Sequence, residues 1–172
     1  MEIRNVFETR KSVRSYTGEA IPDVVLERIL KVANISPVAR GLYENVHLTI
    51  ITNKEYLAKI EENAGEALNA QGTKFLYGAP MLILVSANAD NNVAHSNAAI
   101  LASNMHLEAV ANNVGSCLIW GCIAPLAKNA ELVKALGVPD GFTPCCGVAL
   151  GMSEEQYEKR DIPEGRIAIN RI

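Results

Sequence analysis

A long segment of small and apolar residues between Asn92 and Gly115 constrains the fold more than any other part of the sequence. Its apolar residues recur at helical spacing, and Gly115 is placed to terminate a helix. They spread around more than one helical face, as in a helix packed on both sides. We therefore predict a central helix between the protein's own sheet and a second surface, which a partner subunit could supply. The residues that carry this prediction are Ala94, Ala98, Ala99, Leu101, Ala102, Met105, Leu107, Ala109 and Val110.

The remaining pattern mixes helices with unevenly spaced strands. Pro22-Asp23 opens an amphipathic helix that should end before Pro37. Pro125 to Leu136, closed by Gly137, predicts another helix. Short apolar runs predict four strands, at residues 46–51, 81–85, 117–120 and 145–150. Because the strands are too irregular for a doubly wound fold and helices precede the first of them, we expect a layered α+β sandwich, whose strand order the pattern does not determine.

Composition and charge describe an ordinary globular chain. Its 172 residues are 49% hydrophobic and 20% charged, which suits one hydrophobic core and a single domain spanning residues 1–172. A net charge of -3 offers no broad attraction for nucleic acid or for an anionic membrane surface. No apolar run approaches the roughly 20 residues of a membrane helix, and Met1 to Asn5 lacks the apolar core of a signal peptide. We expect a cytoplasmic protein.

The four cysteines lie in apolar C-terminal segments, which favours reduced intracellular thiols over a disulfide framework. They are Cys117, Cys122, Cys145 and Cys146. The three histidines are dispersed and form no zinc-type spacing with them, so we expect no metal site. Adjacent Cys145 and Cys146 leave open a thiol redox element, although neighbouring cysteines pair only with strain.

The run Arg10-Lys11-Ser12-Val13-Arg14 gathers three cations and a hydroxyl in five residues. If the segment is extended, Arg10, Ser12 and Arg14 share one face, because side chains alternate along extended backbone. Two guanidinium groups and a hydroxyl suit a phosphate or a planar polar ring. The composition alone also fits a solvated basic face.

This run matches the signature Arg-(Arg/Lys/His)-Ser-(Ile/Val/Thr)-(Arg/Lys) that opens proteins of the nitroreductase family, with Tyr16 as the aromatic residue two positions later. Further matches follow in the family's order. They are Ser36-Pro37 after the first long helix, the strand from Val46 to Thr52, Ala79 to Ile83, Val114 to Gly121 after the central helix, Leu136 to Pro139, and Ala149 to Gly151. The chain resembles the nitroreductase family from end to end.

The resemblance implies a fold and an assembly. The fold is a three-layer α-β-α sandwich with a mostly antiparallel central sheet and a long buried central helix. The assembly is a homodimer that binds FMN at the interface between its subunits.

The resemblance also implies a set of cofactor-binding residues. Arg10, Ser12 and Arg14 would hold the phosphate and the polar edge of the flavin, and Lys11 would contribute through its backbone or its charge. Ile119, Trp120 and Gly121 would lie along the isoalloxazine ring, although the same stretch also fits an ordinary core strand. The loop at Pro37, Val38 and Ala39 would reach the other subunit's flavin. Arg160 would return to the phosphate from the C-terminal tail, with Lys159 and Arg166 as alternatives, and a solvated tail fits that stretch equally well.

The sequence departs from the family pattern at two places. In the loop from Pro37 to Asn45, Val38 replaces a hydroxyl residue and Tyr43-Glu44-Asn45 replaces Gln-Pro-Trp, so side-chain contacts to the cofactor are reduced there. Trp120 stands where some members carry an acidic residue, and its bulk would either reshape the cleft or pack under the ring. No insertion precedes the central helix, which predicts a reduced substrate-covering lid.

The function implied is an FMN-dependent oxidoreductase that takes hydride from NAD(P)H and reduces nitroaromatic, quinone or similar planar acceptors by a ping-pong mechanism. The flavin would carry the chemistry, so no catalytic protein residue is expected. A flavin carrier or sensor without turnover is the alternative, because the altered loop could remove the acceptor pocket. A relative of the same fold that binds no cofactor also remains open, as does the choice between NADH and NADPH.

Overall fold

The computed structural model describes residues 2–172. Within this range the helices are α1 (Ile3–Thr9), α2 (Asp23–Ile35), α3 (Lys54–Ala67), α4 (Asn92–Ala111), α5 (Ile123–Leu126) and α6 (Ala130–Ala135). The strands are β1 (Val46–Ile51), β2 (Met81–Ala87), β3 (Gly115–Ile119) and β4 (Thr143–Gly151). Two single helical turns, Ala39–Gly41 and Tyr43–Asn45, lie in the loop that joins α2 to β1.

The four strands form one sheet in the order β1-β2-β4-β3, and every neighbouring pair is antiparallel. Central strand β2 is buried along its whole length. The continuously apolar run from Met81 to Val85 follows from this position, since helices cover both faces of the sheet. The register places Ile83 between Ile50 of β1 and Val148 of β4.

Two hydrophobic layers flank the sheet, which makes the predicted three-layer α-β-α sandwich correct. On one face, the odd-numbered side chains of β2 pack with α2 and α4, through residues such as Ile29, Leu101 and Met105. On the other face, Leu82 and Leu84 pack with the layer that contains α3, α5 and α6. The period-two alternation of β2 therefore divides its side chains between the two cores.

The predicted central helix is α4, a helix of 20 residues. The Asn91 side chain caps it by accepting a hydrogen bond from the N–H of Ala94 at 3.0 Å. Buried residues lie along most of its length, yet Val93 and Ile100 are exposed, so part of its apolar surface is uncovered within one chain. The second surface predicted for this helix is therefore not supplied by the chain itself.

The predicted end of this helix at Gly115 is wrong. The helix ends at Ala111, and Asn113 supplies the left-handed turn with φ of 56°. Gly115 is instead the first residue of β3. A Cβ there would lie 2.9 Å from the Gly151 carbonyl oxygen, so the glycine is required by close strand contact rather than by a helix end.

The single helix predicted from Pro125 to Leu136 is also wrong, because two short helices occupy this stretch. Asn129 begins the second of them by accepting a hydrogen bond from the N–H of Leu132 at 3.0 Å. Gly137 closes it with φ of 75°, as the sequence indicated. No helix within residues 2–172 combines the length and the apolar character needed to cross a bilayer.

Candidate anion-binding site

The basic run from Arg10 to Arg14 is non-helical backbone that begins where α1 ends. Its central residue, Val13, is fully buried, and the Val13 N–H donates to the carbonyl oxygen of Ser116 in β3 at 2.9 Å. Four positions further on, the N–H of Thr17 donates to the carbonyl oxygen of Met152 at 3.0 Å. The sheet therefore fixes the backbone on which Ser12 and Arg14 stand.

Tyr16 supports this backbone from beneath. Its hydroxyl lies 3.2 Å from the carbonyl oxygen of Val13 and 3.4 Å from that of Ala149. Space for the ring comes from two glycines, since a Cβ on Gly115 would lie 3.2 Å, and one on Gly151 2.9 Å, from ring carbons of Tyr16. Burial raises the pKa of the phenol, so Tyr16 acts as a neutral hydrogen-bonding support.

Arg10 carries a buried donor with nothing to bind. Its Nε atom has no hydrogen-bond partner among the described residues. Burial lowers the pKa of Arg10, and the neighbouring positive charges of Arg160 and Arg166 lower it further. Arg10, Arg160 and Arg166 thus bring three guanidinium groups into one region, here called the guanidinium cluster, and one of them has an unused buried N–H, an arrangement suited to an anion.

Arg160 is held beside Arg10 by the C-terminal end of α1. Its Nε donates to the carbonyl oxygen of Glu8 and its Nη2 to that of Phe7, both at 3.2 Å. Lys159, the neighbouring candidate, instead pairs with the carboxylate of Glu8 at 2.9 Å. The structure thus places Arg160 in the cluster, with Arg166 close enough to act electrostatically on Arg10.

Ser12 and Arg14 face different neighbours. Ser12 lies near Cys117, where its side chain opposes the rise in the Cys117 pKa caused by burial. The Arg14 guanidinium lies 5.6 Å from the centre of the Tyr77 ring. Hydrogen bonding to Tyr77 is the main reason that the pKa of Arg14 is raised. Arg14 is therefore oriented by an aromatic ring that the sequence analysis did not select.

Lys11 is occupied by an internal carboxylate. Its Nζ lies 3.0 Å from Oε2 of Glu155, whose Oε1 accepts the backbone N–H of Arg14 at 2.9 Å. The ammonium is thus locally neutralised, and the positive charge of the run is concentrated at Arg10 and Arg14. These contacts lower the pKa of Glu155, the N–H of Arg14 contributing most.

A buried polar network lies behind the run. His106 of α4 is 3% exposed, and its Nδ1 lies 2.7 Å from Oγ of Ser116. The hydroxyl of Tyr157 donates to the carbonyl oxygen of Val114 at 2.9 Å and lies 3.5 Å from the same Oγ. Burial, with a smaller contribution from Arg10, lowers the pKa of His106 to about 4, so its imidazole is neutral at pH 7.

The two residues that follow the end of β3 at Ile119 are exposed. Ile119 is buried in the core, whereas Trp120 is 50% exposed and Gly121 is exposed. A Cβ on Gly121 would touch only the ring of Phe75, at 3.5 Å. Aromatic side chains of the long loop before β2 therefore border this end of the strand. Their sequence signal was two aromatic residues, Phe75 and Tyr77, between the loop glycines Gly72 and Gly78.

The remaining predicted residues, Pro37, Val38 and Ala39, lie elsewhere. Val38 is buried, and the N–H of Ala39 donates to Oδ1 of Asn97 at 3.1 Å. The loop is thus tied to α4 at Asn97, whereas the run's neighbours reach α4 at His106. These positions are nine residues apart, about 14 Å along a helix. One chain by itself does not bring the loop and the basic run together.

The fold and this site together define a three-layer α-β-α protein with a guanidinium cluster suited to binding an anion, and comparison with known proteins identifies its family. The model of the Nitroreductase family matches residues 7–152. The chain therefore belongs to the nitroreductase family, a family of oxidoreductases.

Two archaeal relatives carry the provisional name NADH dehydrogenase/NAD(P)H nitroreductase. The one from Methanothermobacter thermautotrophicus is 25% identical, covering 94% of this chain and 83% of its own. The one from Archaeoglobus fulgidus is 28% identical, covering 93% and 92%.

Solved structures share the whole fold. A nitroreductase from Bacteroides fragilis, determined with bound FMN, superposes with a TM-score of 0.84 at 26% identity, covering 99% of this chain and 100% of its own. A nitroreductase from Desulfitobacterium hafniense, also with bound FMN, superposes with a TM-score of 0.85 at 21% identity and the same coverage. The second likeness, at this lower identity, establishes the fold alone.

Proposed function

We propose that this protein binds FMN with the basic run and uses it to transfer electrons from NAD(P)H to small planar acceptors. The observation that carries the proposal is the buried, unpartnered Nε of Arg10 beside Arg160 and Arg166. A phosphate group supplies the negative charge and the acceptor oxygens that this cluster lacks. The FMN-bound relative from Bacteroides fragilis supports the choice of anion.

In this proposal, different residues of the site contact different parts of FMN. Arg10, Arg160 and Ser12 hold the phosphate end, and Arg14 serves the polar edge of the ring. The exposed turn at Trp120 and Gly121 forms the floor on which a planar ring can lie, since Gly121 carries no side chain and a Cβ there would meet only the ring of Phe75. Ile119 and the rings of Phe75 and Tyr77 exclude water from that side. The buried contacts of Val13 and Tyr16 keep these groups in place before the ligand arrives.

We further propose that the working form is a homodimer. If two copies pack α4 against α4 in antiparallel fashion, the start of one helix lies beside the end of the other. The loop at Pro37 to Ala39 of one copy then approaches the basic run of its partner, which a single chain does not achieve. The exposed apolar residues Val93 and Ile100 of α4 and Ile3 and Phe7 of α1 support such a contact.

When bound, FMN supplies two-electron chemistry, accepting hydride from NAD(P)H and passing electrons to an acceptor. The protein's own part is to bind, orient and shield, so no protein nucleophile is proposed. The altered loop keeps the flavin carrier without turnover as the second candidate. Its Val38 is buried and offers no hydroxyl to a ligand.

The test begins with the visible spectrum of the purified protein and with FMN binding measured by equilibrium dialysis. We expect the wild type to bind one FMN per chain. Arg10→Gln should weaken binding by about 10- to 100-fold, since a charge-assisted hydrogen bond contributes about 1.5–3 kcal/mol. Arg28→Gln is the matched control, because Arg28 lies on α2 and contacts Asn112 instead.

Anaerobic mixing with NADH or NADPH then separates enzyme from carrier. Bleaching of the flavin absorbance followed by recovery on adding an acceptor is the result expected of an enzyme. A flavin that binds but stays oxidised would identify a carrier. A colourless protein that takes up no FMN from excess cofactor would contradict the proposal altogether.

A further inference from the structure

A second polar feature lies away from the basic run. A cavity of about 580 Å³ opens between the loop at residues 39–45 and the start of α4. The described residues that line it include one guanidinium group and five carboxamides, but no carboxylate. The guanidinium of Arg40 is therefore the one charged group among these lining residues. Its polar residues are Arg40, Asn45, Asn88, Asn91, Asn92 and Asn97.

Hydrogen bonds orient two of the five carboxamides, those of Asn91 and Asn97, so that they offer donors, while the NH₂ of Asn88 already donates to Oδ1 of Asn45 at 2.8 Å. The backbone N–H of Ala94 faces Oδ1 of Asn91 at 3.0 Å, and that of Ala39 faces Oδ1 of Asn97 at 3.1 Å. Because a backbone N–H only donates, the oxygen of each amide must be the facing atom. The NH₂ group of each amide then remains as the donor end. The lining suits a ligand with acceptor oxygens.

Arg40 is held at the cavity by a strained backbone. Its φ of 60° lies in the left-handed region, which is unfavourable for a residue other than glycine. The N–H of Gly41 donates to the carbonyl oxygen of Val38 at 2.9 Å, and the Tyr43 hydroxyl donates to that of Ser36 at 3.0 Å. The loop is thus closed on both sides of Arg40. The side chain is exposed and makes no ion pair within residues 2–172.

We infer that this cavity receives the electron acceptor and that Arg40 selects acceptors carrying a carboxylate group. The inference rests on the proposed function, because Val38 and Ala39 of the same loop are the residues proposed to approach the partner's flavin. A guanidinium binds a carboxylate through two parallel N–H donors, and the asparagine amides add further donors to its oxygens. A neutral acceptor of the same shape leaves these donors without a partner.

The probe is a matched pair of acceptors, 4-nitrobenzoate and 4-nitrobenzamide, which differ in charge but hardly in shape. In each reaction the nitro compound, NAD(P)H and one proton give the nitroso compound, NAD(P)⁺ and water. The measured quantity is the ratio of kcat/KM for the anionic acceptor to that for the neutral one. We expect Arg40→Gln to lower this ratio about 10-fold and Arg40→Lys to restore part of it. Arg28→Gln should leave the ratio unchanged.

A binding measurement makes the inference independent of turnover. Calorimetric titration of benzoate and of benzamide into the FMN-loaded protein should show tighter binding of benzoate, and Arg40→Gln should remove the difference. An unchanged ratio and unchanged benzoate binding in Arg40→Gln would overturn the role of Arg40, while reduction of 4-nitrobenzamide would still uphold the proposed function. If neither acceptor is reduced and the flavin does not bleach, the proposed turnover fails, and with it the assignment of the cavity to an acceptor.

Discussion

The carboxylate of Glu155 accepts the backbone N–H of Arg14 at 2.9 Å, across 141 positions of the chain. Its other oxygen lies 3.0 Å from the ammonium of Lys11. One residue of the C-terminal tail therefore both shapes the basic run and removes one of its charges. The charge left for a ligand is that of Arg10 and Arg14, which flank the hydroxyl of Ser12.

Glu155→Gln should lower the free energy of unfolding at pH 7 by about 1 kcal/mol, the usual contribution of a partly exposed charged hydrogen bond. Because the pKa of Glu155 is lowered in the folded protein, its contribution is complete above the usual carboxylate pKa. The contribution is lost as the pH falls through the lowered pKa. Urea unfolding of wild type and variant at several pH values should show the difference closing in acid. Glu154→Gln, at the exposed neighbouring residue, should have little effect, and a difference that persists in acid would contradict the assignment.

Gly151→Ala should destabilise the fold by about 1–3 kcal/mol, the range for overpacking a filled core. Its Cβ would lie 2.5 Å from Cδ of Pro80 and 2.9 Å from Cδ1 of Tyr16. Displacement of Tyr16 should also loosen the basic run and weaken FMN binding. Chemical denaturation and dialysis report the two effects. Gly121→Ala is the control for stability, since its Cβ would make only an ordinary 3.5 Å contact with Phe75, and equal destabilisation by both variants would refute the packing argument.

His106 should make stability depend on pH between about 6.5 and 4. Its pKa falls to about 4 in the folded protein, chiefly through burial. In this range the unfolded chain takes up a proton that the folded chain does not, so stability falls as the pH falls. A shift of this size corresponds to a loss on the order of 3 kcal/mol. Urea unfolding at pH 7, 5.5 and 4.5 should give a steep dependence in wild type and a flatter one in His106→Gln, and equal slopes would show that His106 does not titrate as described.

The four cysteines should be unreactive in the native protein. All are free and buried, and burial raises the pKa of each thiol, to about 12 for Cys122 and Cys146. Reaction with Ellman's reagent at pH 8 should therefore be slow without denaturant and should count four thiols in guanidinium. Rapid native reaction of two thiols, or a mild oxidation that removes two hydrogens in the mass spectrum, would instead revive the thiol redox interpretation of Cys145 and Cys146.

Local patterns were sufficient for much of the fold. The amphipathic period of α2, the β-branched run of β1 and the apolar run of β2 each identify an element correctly, because each faces the core with a regular spacing. The end of α4 was misplaced because Asn113 and Gly115 are both able to end a helix. Only the contact of Gly115 with Gly151 distinguishes them, and this contact joins distant parts of the chain.

The same distinction applies to the candidate site. Features carried by adjacent residues could be predicted from the sequence, whereas features that depend on contacts between distant residues could not. The run from Arg10 to Arg14 stands out in the sequence because its charges are adjacent. The pairing of Lys11 with Glu155 and the position of Tyr77 beside Arg14 do not, since they depend on tertiary packing. Arg40 was passed over because a lone arginine in a loop has no pattern, and its distinguishing feature is a left-handed backbone beside a cavity.

The guanidinium of Arg160 donates to the carbonyl oxygen of Glu8, 152 positions earlier in the chain. During synthesis, therefore, the arginines near the amino terminus leave the ribosome long before Ser116, Glu155 and Arg160 exist to fix them. A nascent chain therefore has no completed guanidinium cluster until Arg160 has been translated and has folded back onto α1. If the proposed function holds, FMN can bind tightly only after these two distant parts of the polypeptide have met.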